Sequence, residues 1–318
     1  MRGAFMTEPG RIEVRRTLPV PEIGPGDVLV RVTDVALCKS ELDRFTGAML
    51  LPEPLAFGHE VVGVVEKIGD AVTTLGVGDR VVPYVEPMHG CADYVAVPAA
   101  RCVKVPDDEP AAVLTELLAC AVGAIHEADP DPDDSVVLMG GTGALGELLR
   151  AVLNHRYPEL SHVFVLGRNP HALERAGADG RTVALDVSDG IDAARAAILA
   201  ATGGHGADVV LEVSGAAPML LEAPTLARTG GTLGIVGYPA APTPFDWHRV
   251  CGEGQAVSVA HWRDPDIKHG FMQEAADLIA SGDLSIGDLI TRRFPLADVE
   301  TAFEYAATAN AVKVVVEL

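Results

Sequence analysis

The chain has 318 residues, 48% hydrophobic and 22% charged, with 24 Lys+Arg against 45 Asp+Glu for a formal charge of −21. This composition suits a globular protein of one large or two medium domains and excludes a disordered acidic chain. A pI near 4.7 weighs against nucleic acid or an anionic membrane as partner, because phosphates would be repelled over most of the surface.

The N-terminal stretch MRGAFMTEPGRIEVRR contains no uninterrupted apolar segment, and no run of 18 apolar residues follows. The expectation is a cytoplasmic protein with no leader and no membrane span. Cys38, Cys91, Cys102, Cys120 and Cys251 are too few and too scattered for a disulfide framework. Their odd number, without a CxxC pair, suits a reducing compartment.

The first hundred residues read as β-rich. Apolar, β-branched runs at 28–33, 61–68 and 81–83, and the alternating run 92–97, are bounded by Gly and Pro. This is the pattern of a compact barrel or sandwich. The character changes near residue 110. A helix is expected over 111–127, followed by the acidic turn DPDPDD at 129–134. Strands are then expected at 135–139, 163–166, 183–185, 209–213 and 232–236. Helices at 144–155, 171–176, 192–202 and 219–227 separate them. Such alternation implies a doubly wound parallel sheet covered by helices on both faces. Helices at 271–281 and 299–309 and strands at 289–294 and 312–317 close the chain.

The strand at 135–139 runs into MGGTGALG, which carries G-x-G-x-x-G at Gly141, Gly143 and Gly146. In that setting Gly141 serves the tight turn, Gly143 the approach of a pyrophosphate, and Gly146 the close packing of helix on sheet. The amides of Thr142, Ala144 and Leu145, at the helix N-terminus, would face the anion. An NAD site carries an acid about 20 residues further on. Here the next strand ends in Gly167, Arg168 and Asn169. A missing carboxylate beside a guanidinium favours the 2′-phosphate of NADP(H) over NAD(H).

Two further motifs precede this domain. GHEVVGVVEKIGDAV begins at Gly58 and is followed by GVGDRV at 76–81; ALCKSELD spans 36–43; HGCADYV begins at His89. Together, and in this order, they resemble the zinc-dependent medium-chain dehydrogenase/reductase family, over nearly the whole chain. The resemblance implies a GroES-like β-barrel-type catalytic domain, residues 1–121 and 263–318, around an inserted Rossmann domain, 122–262. It implies Cys38 and His59 as ligands of one catalytic zinc. The third ligand would be Glu116, direct or through water, in a stretch similar to the Glu type of polyol and sugar dehydrogenases. Glu60 is implied as a residue that can exchange onto the metal.

The optional four-cysteine lobe for a structural zinc is missing from the sequence, so a single metal is expected. Ser40 would pass the proton, and Asp43 stands where a relay His is common. Lys39 is expected at the pyrophosphate, and Ser214 and Gly237 at the nicotinamide side. The reaction implied is hydride transfer between NADP(H) and an alcohol or ketone of polyol, sugar or cyclitol type. The small-molecule enzyme would be a homodimer or homotetramer, its sheets joined through the strand near Gly237. Two other readings stay open at this point: a zinc-free quinone or enone reductase on the same scaffold, and a non-catalytic NADPH-binding redox sensor.

Overall fold

The computed structural model describes residues 1–49, 54–262 and 264–318. The chain divides into two compact units, Met1–Ala119 with Trp262–Leu318, and Cys120–His261. The boundary expected at Arg263 lies outside the described residues.

In the first unit the strand Asp27–Ala36 is the hub of a seven-stranded sheet. It pairs antiparallel with Glu60–Ile68, with Tyr94–Pro98 and with the C-terminal strand Lys313–Glu317. That last strand carries Ile290–Pro295 parallel to it on its other side. The last thirty or so residues of the chain thus complete the sheet that the first hundred begin. Alternation along the strands turns Val28, Val30, Val32 and Val35 into one core with Val61, Val65, Phe57, Phe303 and Val316. Phe303 stacks edge-on against Phe57 at 5.3 Å. A smaller sheet orders Arg11–Arg15, Gly3–Glu8 and Leu55–Ala56.

The second unit holds a six-stranded, all-parallel sheet. Its order is Thr182–Asp186, His162–Gly167, Ser135–Met139, Ala207–Glu212, Ala227–Ile235, Ala256–Val259. The first of these strands in the chain, Ser135–Met139, lies at the centre of the order. Successive crossovers run outward from it in both directions, and the reversal beside it is the switch point at which such sheets bind ligands. Ser135–Met139 is buried throughout, as expected of a strand covered on both faces.

Two expectations are corrected here. The helix expected at 219–227 ends at Glu222, because Pro224 cannot continue it; one 3-10 turn, Ala223–Thr225, leads straight into the strand Ala227–Ile235. The strand near Gly237 is not a free edge: Ala227–Ile235 has neighbours on both sides, and the edge belongs to Ala256–Val259. Among the described residues, Pro110–Ala128 is the one helical stretch long and apolar enough to match a membrane span. Its apolar window is 83% buried inside the protein, which is the behaviour of a core helix.

Candidate active site

Sheet register assembles the first cluster. Ala36 is paired with Glu60 on one side and Val315 on the other. Cys38, two residues past the end of its strand, therefore emerges beside the start of Glu60–Ile68 and beside Lys313. The sulfur of Cys38, a ring nitrogen of His59 and a carboxylate oxygen of Glu60 lie within 4.8 Å of one another.

Gly58 makes this turn possible. Its φ is +101°, and a Cβ there would lie 2.4 Å from the amide nitrogen of Cys91. Only glycine meets both demands. The cluster is braced by Glu41, which is completely buried. Its carboxylate accepts the amides of Cys38 at 3.1 Å and Gly58 at 2.8 Å, and meets Nδ1 of His59 at 3.1 Å. A proton on Nδ1 shared with Glu41 leaves the Nε2 lone pair for a metal, the usual arrangement of a ligating histidine. Burial works to raise Glu41, but the charge and hydrogen bond of His59 and the two amides outweigh it and hold the carboxyl below its ordinary range. His59 is raised in return: burial opposes its charge, and Glu41 and Cys38 overcome it.

Two buried lysines face two buried acids. Lys313 Nζ lies 2.5 Å from Glu60 Oε1, and Lys268 Nζ lies 2.8 Å from Glu116 Oε1. Burial pushes Glu60 up, with Lys313 and His59 opposing and the charge of Glu116 adding to the rise. Glu116 ends below its ordinary range, because Lys268, His59 and Lys313 together outweigh its burial. Glu116 is not part of the three-residue cluster of Cys38, His59 and Glu60.

The residues fit a metal on one further ground. Glu60 Oε2 is fully buried and has no hydrogen-bond partner among the described residues. An orphaned carboxylate oxygen beside a thiol and an imidazole is a costly arrangement that a bound cation relieves. The donor set, one sulfur, one nitrogen and one oxygen, suits Zn²⁺.

Ser40 and Asp43 lie on the helix Lys39–Phe45 that Cys38 opens. Both carboxylate oxygens of Asp43 are 2.7 Å from Lys39 Nζ, so Lys39 makes a surface pair within its own helix. Cys91 and Cys102 belong to the core, and burial pushes the Cys91 thiol far up and the Cys102 thiol up to about 12. Sequence reasoning passed over Lys313 and Lys268, which meet their acids across 253 and 152 residues. The one available signal was the placement of Lys268 in an apolar helical stripe.

In the second unit, the carboxyl ends of the parallel strands form the other cluster. The left-handed turn falls at Gly140 (φ +84°) rather than at Gly141. Gly146 comes so near Gly141 that a Cβ would lie 2.3 Å from its Cα, which is the close helix–sheet contact expected. A Cβ on Gly143 would meet nothing nearer than 3.8 Å. Gly143 caps the helix Ala144–Arg156 without any side-chain hydrogen bond to its first amides, and this open, uncapped turn fits a phosphate. A Cβ on Gly140 would lie 2.7 Å from Ser214 Cβ, and one on Gly237 would lie 2.1 Å from the amide nitrogen of Gly215. The three turns are therefore packed together.

Ser214 donates its hydroxyl and amide to Glu212, which also accepts the Gly215 amide. The space a side chain at Gly167 would need is filled by Thr142, 2.4 Å away. Arg168 is exposed, and Asn169 caps the helix Pro170–Gly177 through its side-chain oxygen. Gly167 is paired in register with Asp186 of the neighbouring strand, a carboxylate near this corner that the sequence pattern did not indicate.

A parallel sheet with a Gly-rich turn at its switch point, in one chain with a sulfur–imidazole–carboxylate cluster on an antiparallel barrel-type unit, defines the class of metal-dependent dehydrogenases with a nucleotide cofactor. Residues 24–107 match the alcohol dehydrogenase GroES-like domain and residues 159–281 the zinc-binding dehydrogenase model. The chain is 32% identical over 350 aligned positions to a Rhizobium meliloti (strain 1021) protein provisionally named D-xylulose reductase, covering 100% of this chain and 98% of that one. The chain belongs to the zinc-dependent medium-chain dehydrogenase family. Its fold is shared by the alcohol dehydrogenase TADH from Thermus sp. ATN1 (TM-score 0.86, 24% identity, 100% and 99% covered). It is shared also by a Sinorhizobium meliloti 1021 protein provisionally named a zinc-binding dehydrogenase and bound to NADP (TM-score 0.83, 24% identity, 100% and 99% covered).

Proposed function

We propose that the protein transfers a hydride between NADP(H) and an alcohol or ketone of polyol, sugar or cyclitol type, with one catalytic zinc. The observation that carries the reading is the convergence of Cys38 and His59 on Glu60, whose second carboxylate oxygen has no partner among the described residues. When bound, zinc polarises the substrate oxygen and the nicotinamide carries the hydride.

Cys38, His59 and Glu60 would hold the metal, with Glu116 the next carboxylate behind them. Glu41 fixes the His59 ring so that the same nitrogen always faces the centre. Ser40, in the first turn after Cys38, takes the alcohol proton. Asp43, three residues along the same helix face, is the next acceptor toward solvent. The polyol class draws support from the name of the Rhizobium meliloti relative.

The nucleotide would lie over Gly141–Gly146, with Ser214 and Gly237 toward its nicotinamide end. NADP(H) is favoured by the exposed Arg168 and by the side-chain-free Gly167. A homodimer or homotetramer is proposed through Ala256–Val259, an unpaired sheet edge with Val259 60% exposed. Cys38→Ala is expected to abolish turnover while leaving NADPH binding, followed by fluorescence, unchanged. Full turnover in that variant would refute the zinc reading.

A further inference from the structure

Helix Pro265–Ser281 buries Lys268, Met272, Ala275, Ala276 and Ile279. These positions form one stripe at helical spacing, so an ammonium occupies a place where the pattern calls for an apolar side chain. Lysine is almost never fully buried unless paired. Here Lys268 is 4% exposed, with Nζ 2.8 Å from Glu116 Oε1 and 3.4 Å from the Glu116 carbonyl oxygen. One ammonium thus grips both the side chain and the backbone of the same acid. Glu116 stands in the first turn of Thr115–Ala128, close enough to His59 and Glu60 for their charges to interact. It is nevertheless absent from the cluster of three ligand atoms.

Resting on the zinc reading above, we propose that Lys268 is a positioning residue that holds Glu116 back from the metal, so that Glu60 serves as the third protein ligand. Without Lys268, Glu116 is an unpaired buried anion beside a cation, and coordination is its nearest relief.

Cobalt(II) substituted for zinc reports this directly, because its visible bands weaken and shift as the coordination number rises and its near-ultraviolet band marks the thiolate. In Lys268→Met the visible bands should weaken, and cobalt affinity should rise about tenfold, the scale on which residues behind the ligands tune metal sites. Lys268→Arg should keep the wild-type spectrum, and Lys268→Met combined with Glu116→Gln should restore it. If Lys268→Met fails to fold, Glu116→Gln alone decides. An unchanged cobalt spectrum supports the proposal. Lost cobalt binding makes Glu116 a direct ligand and overturns it. A folded Lys268→Met with wild-type bands and affinity also overturns it, while leaving the zinc reading intact. Wild-type protein that binds cobalt with no thiolate band would overturn the zinc reading itself, and this proposal with it.

Discussion

At the scale of single residues, the proposed preference for NADP(H) rests on the corner formed by Gly167, Arg168 and Asp186. Thr142 occupies the volume from which an acid at 167 would project, so the absence of a carboxylate there is tied sterically to the phosphate turn. Arg168 would bind the 2′-phosphate through charge-assisted hydrogen bonds, each worth ~1.5–3 kcal/mol. Arg168→Ala should therefore weaken NADPH binding by about tenfold or more, with NADH binding nearly unchanged. Equal losses for both nucleotides, measured by titration calorimetry, would contradict the assignment. Asp186 sits in register with Gly167, its carboxylate held by the Ser188 hydroxyl and amide. These hydrogen bonds keep its pKa below the ordinary range, so it is an anion where a second anion would bind. Asp186→Asn should shift preference further toward NADPH, and a shift toward NADH would rule out electrostatic opposition from this side chain.

At the scale of elements, Asp179 ties the loop before the strand Thr182–Asp186 to the helix Ala144–Arg156. It accepts the amides of Arg181 and Thr182, the Thr182 hydroxyl, Asn154 and Arg150. Burial opposes its ionisation, but these donors outweigh burial and bring its pKa down to about 2. A carboxyl whose folded pKa is depressed adds stability above its unfolded value, and that stability fades as pH falls through the folded value. With a quarter of the side chain exposed, Asp179→Asn should cost about 1–2 kcal/mol at pH 7 after allowance for solvent screening. The difference in unfolding free energy should shrink between about pH 4 and pH 2; a difference constant with pH would exclude the charge as its source.

The same scale shows what the sequence makes legible. Strands buried on both faces, such as Ser135–Met139 and His162–Gly167, are short apolar runs closed by Gly, and their place in a parallel sheet follows from the helices between them. The hairpin Gly3–Glu8 and Arg11–Arg15 goes unseen because its second strand is rich in charge and nowhere fully buried. The edge strand Ala256–Val259 has only four residues, too few for a period to register. Cys38, His59 and Glu60 can be read from local motifs. The Lys313 and Lys268 pairs cannot, because each depends on tertiary contact between distant segments. Glu116 is legible as a functional acid, while its engagement by Lys268 comes only from the packing of helix Pro265–Ser281.

At the scale of the whole molecule, one exposed edge invites continuation of the parallel sheet. Among the described residues Ala256–Val259 has a strand neighbour on one side only, and Trp247, Tyr238 and Val259 are each more than half exposed. Unprotected sheet edges readily pair with another chain, and closed two-fold pairing is the commonest outcome. Sedimentation of the wild type should give twice or four times the 33.2 kDa chain mass. Val259→Pro, which places a ring and removes a backbone donor at this edge, should shift the protein toward monomer. A wild-type monomer at micromolar concentration would contradict the proposed assembly.

Hydride transfer is proposed to depend on a metal bound by the cluster of Cys38, His59 and Glu60. Elemental analysis of the purified protein, paired with NADPH-linked turnover of polyols and their ketones before and after chelation, tests it most directly. One zinc per chain is predicted, with turnover lost on chelation and regained when zinc is returned. Undiminished turnover by protein freed of zinc would contradict the account.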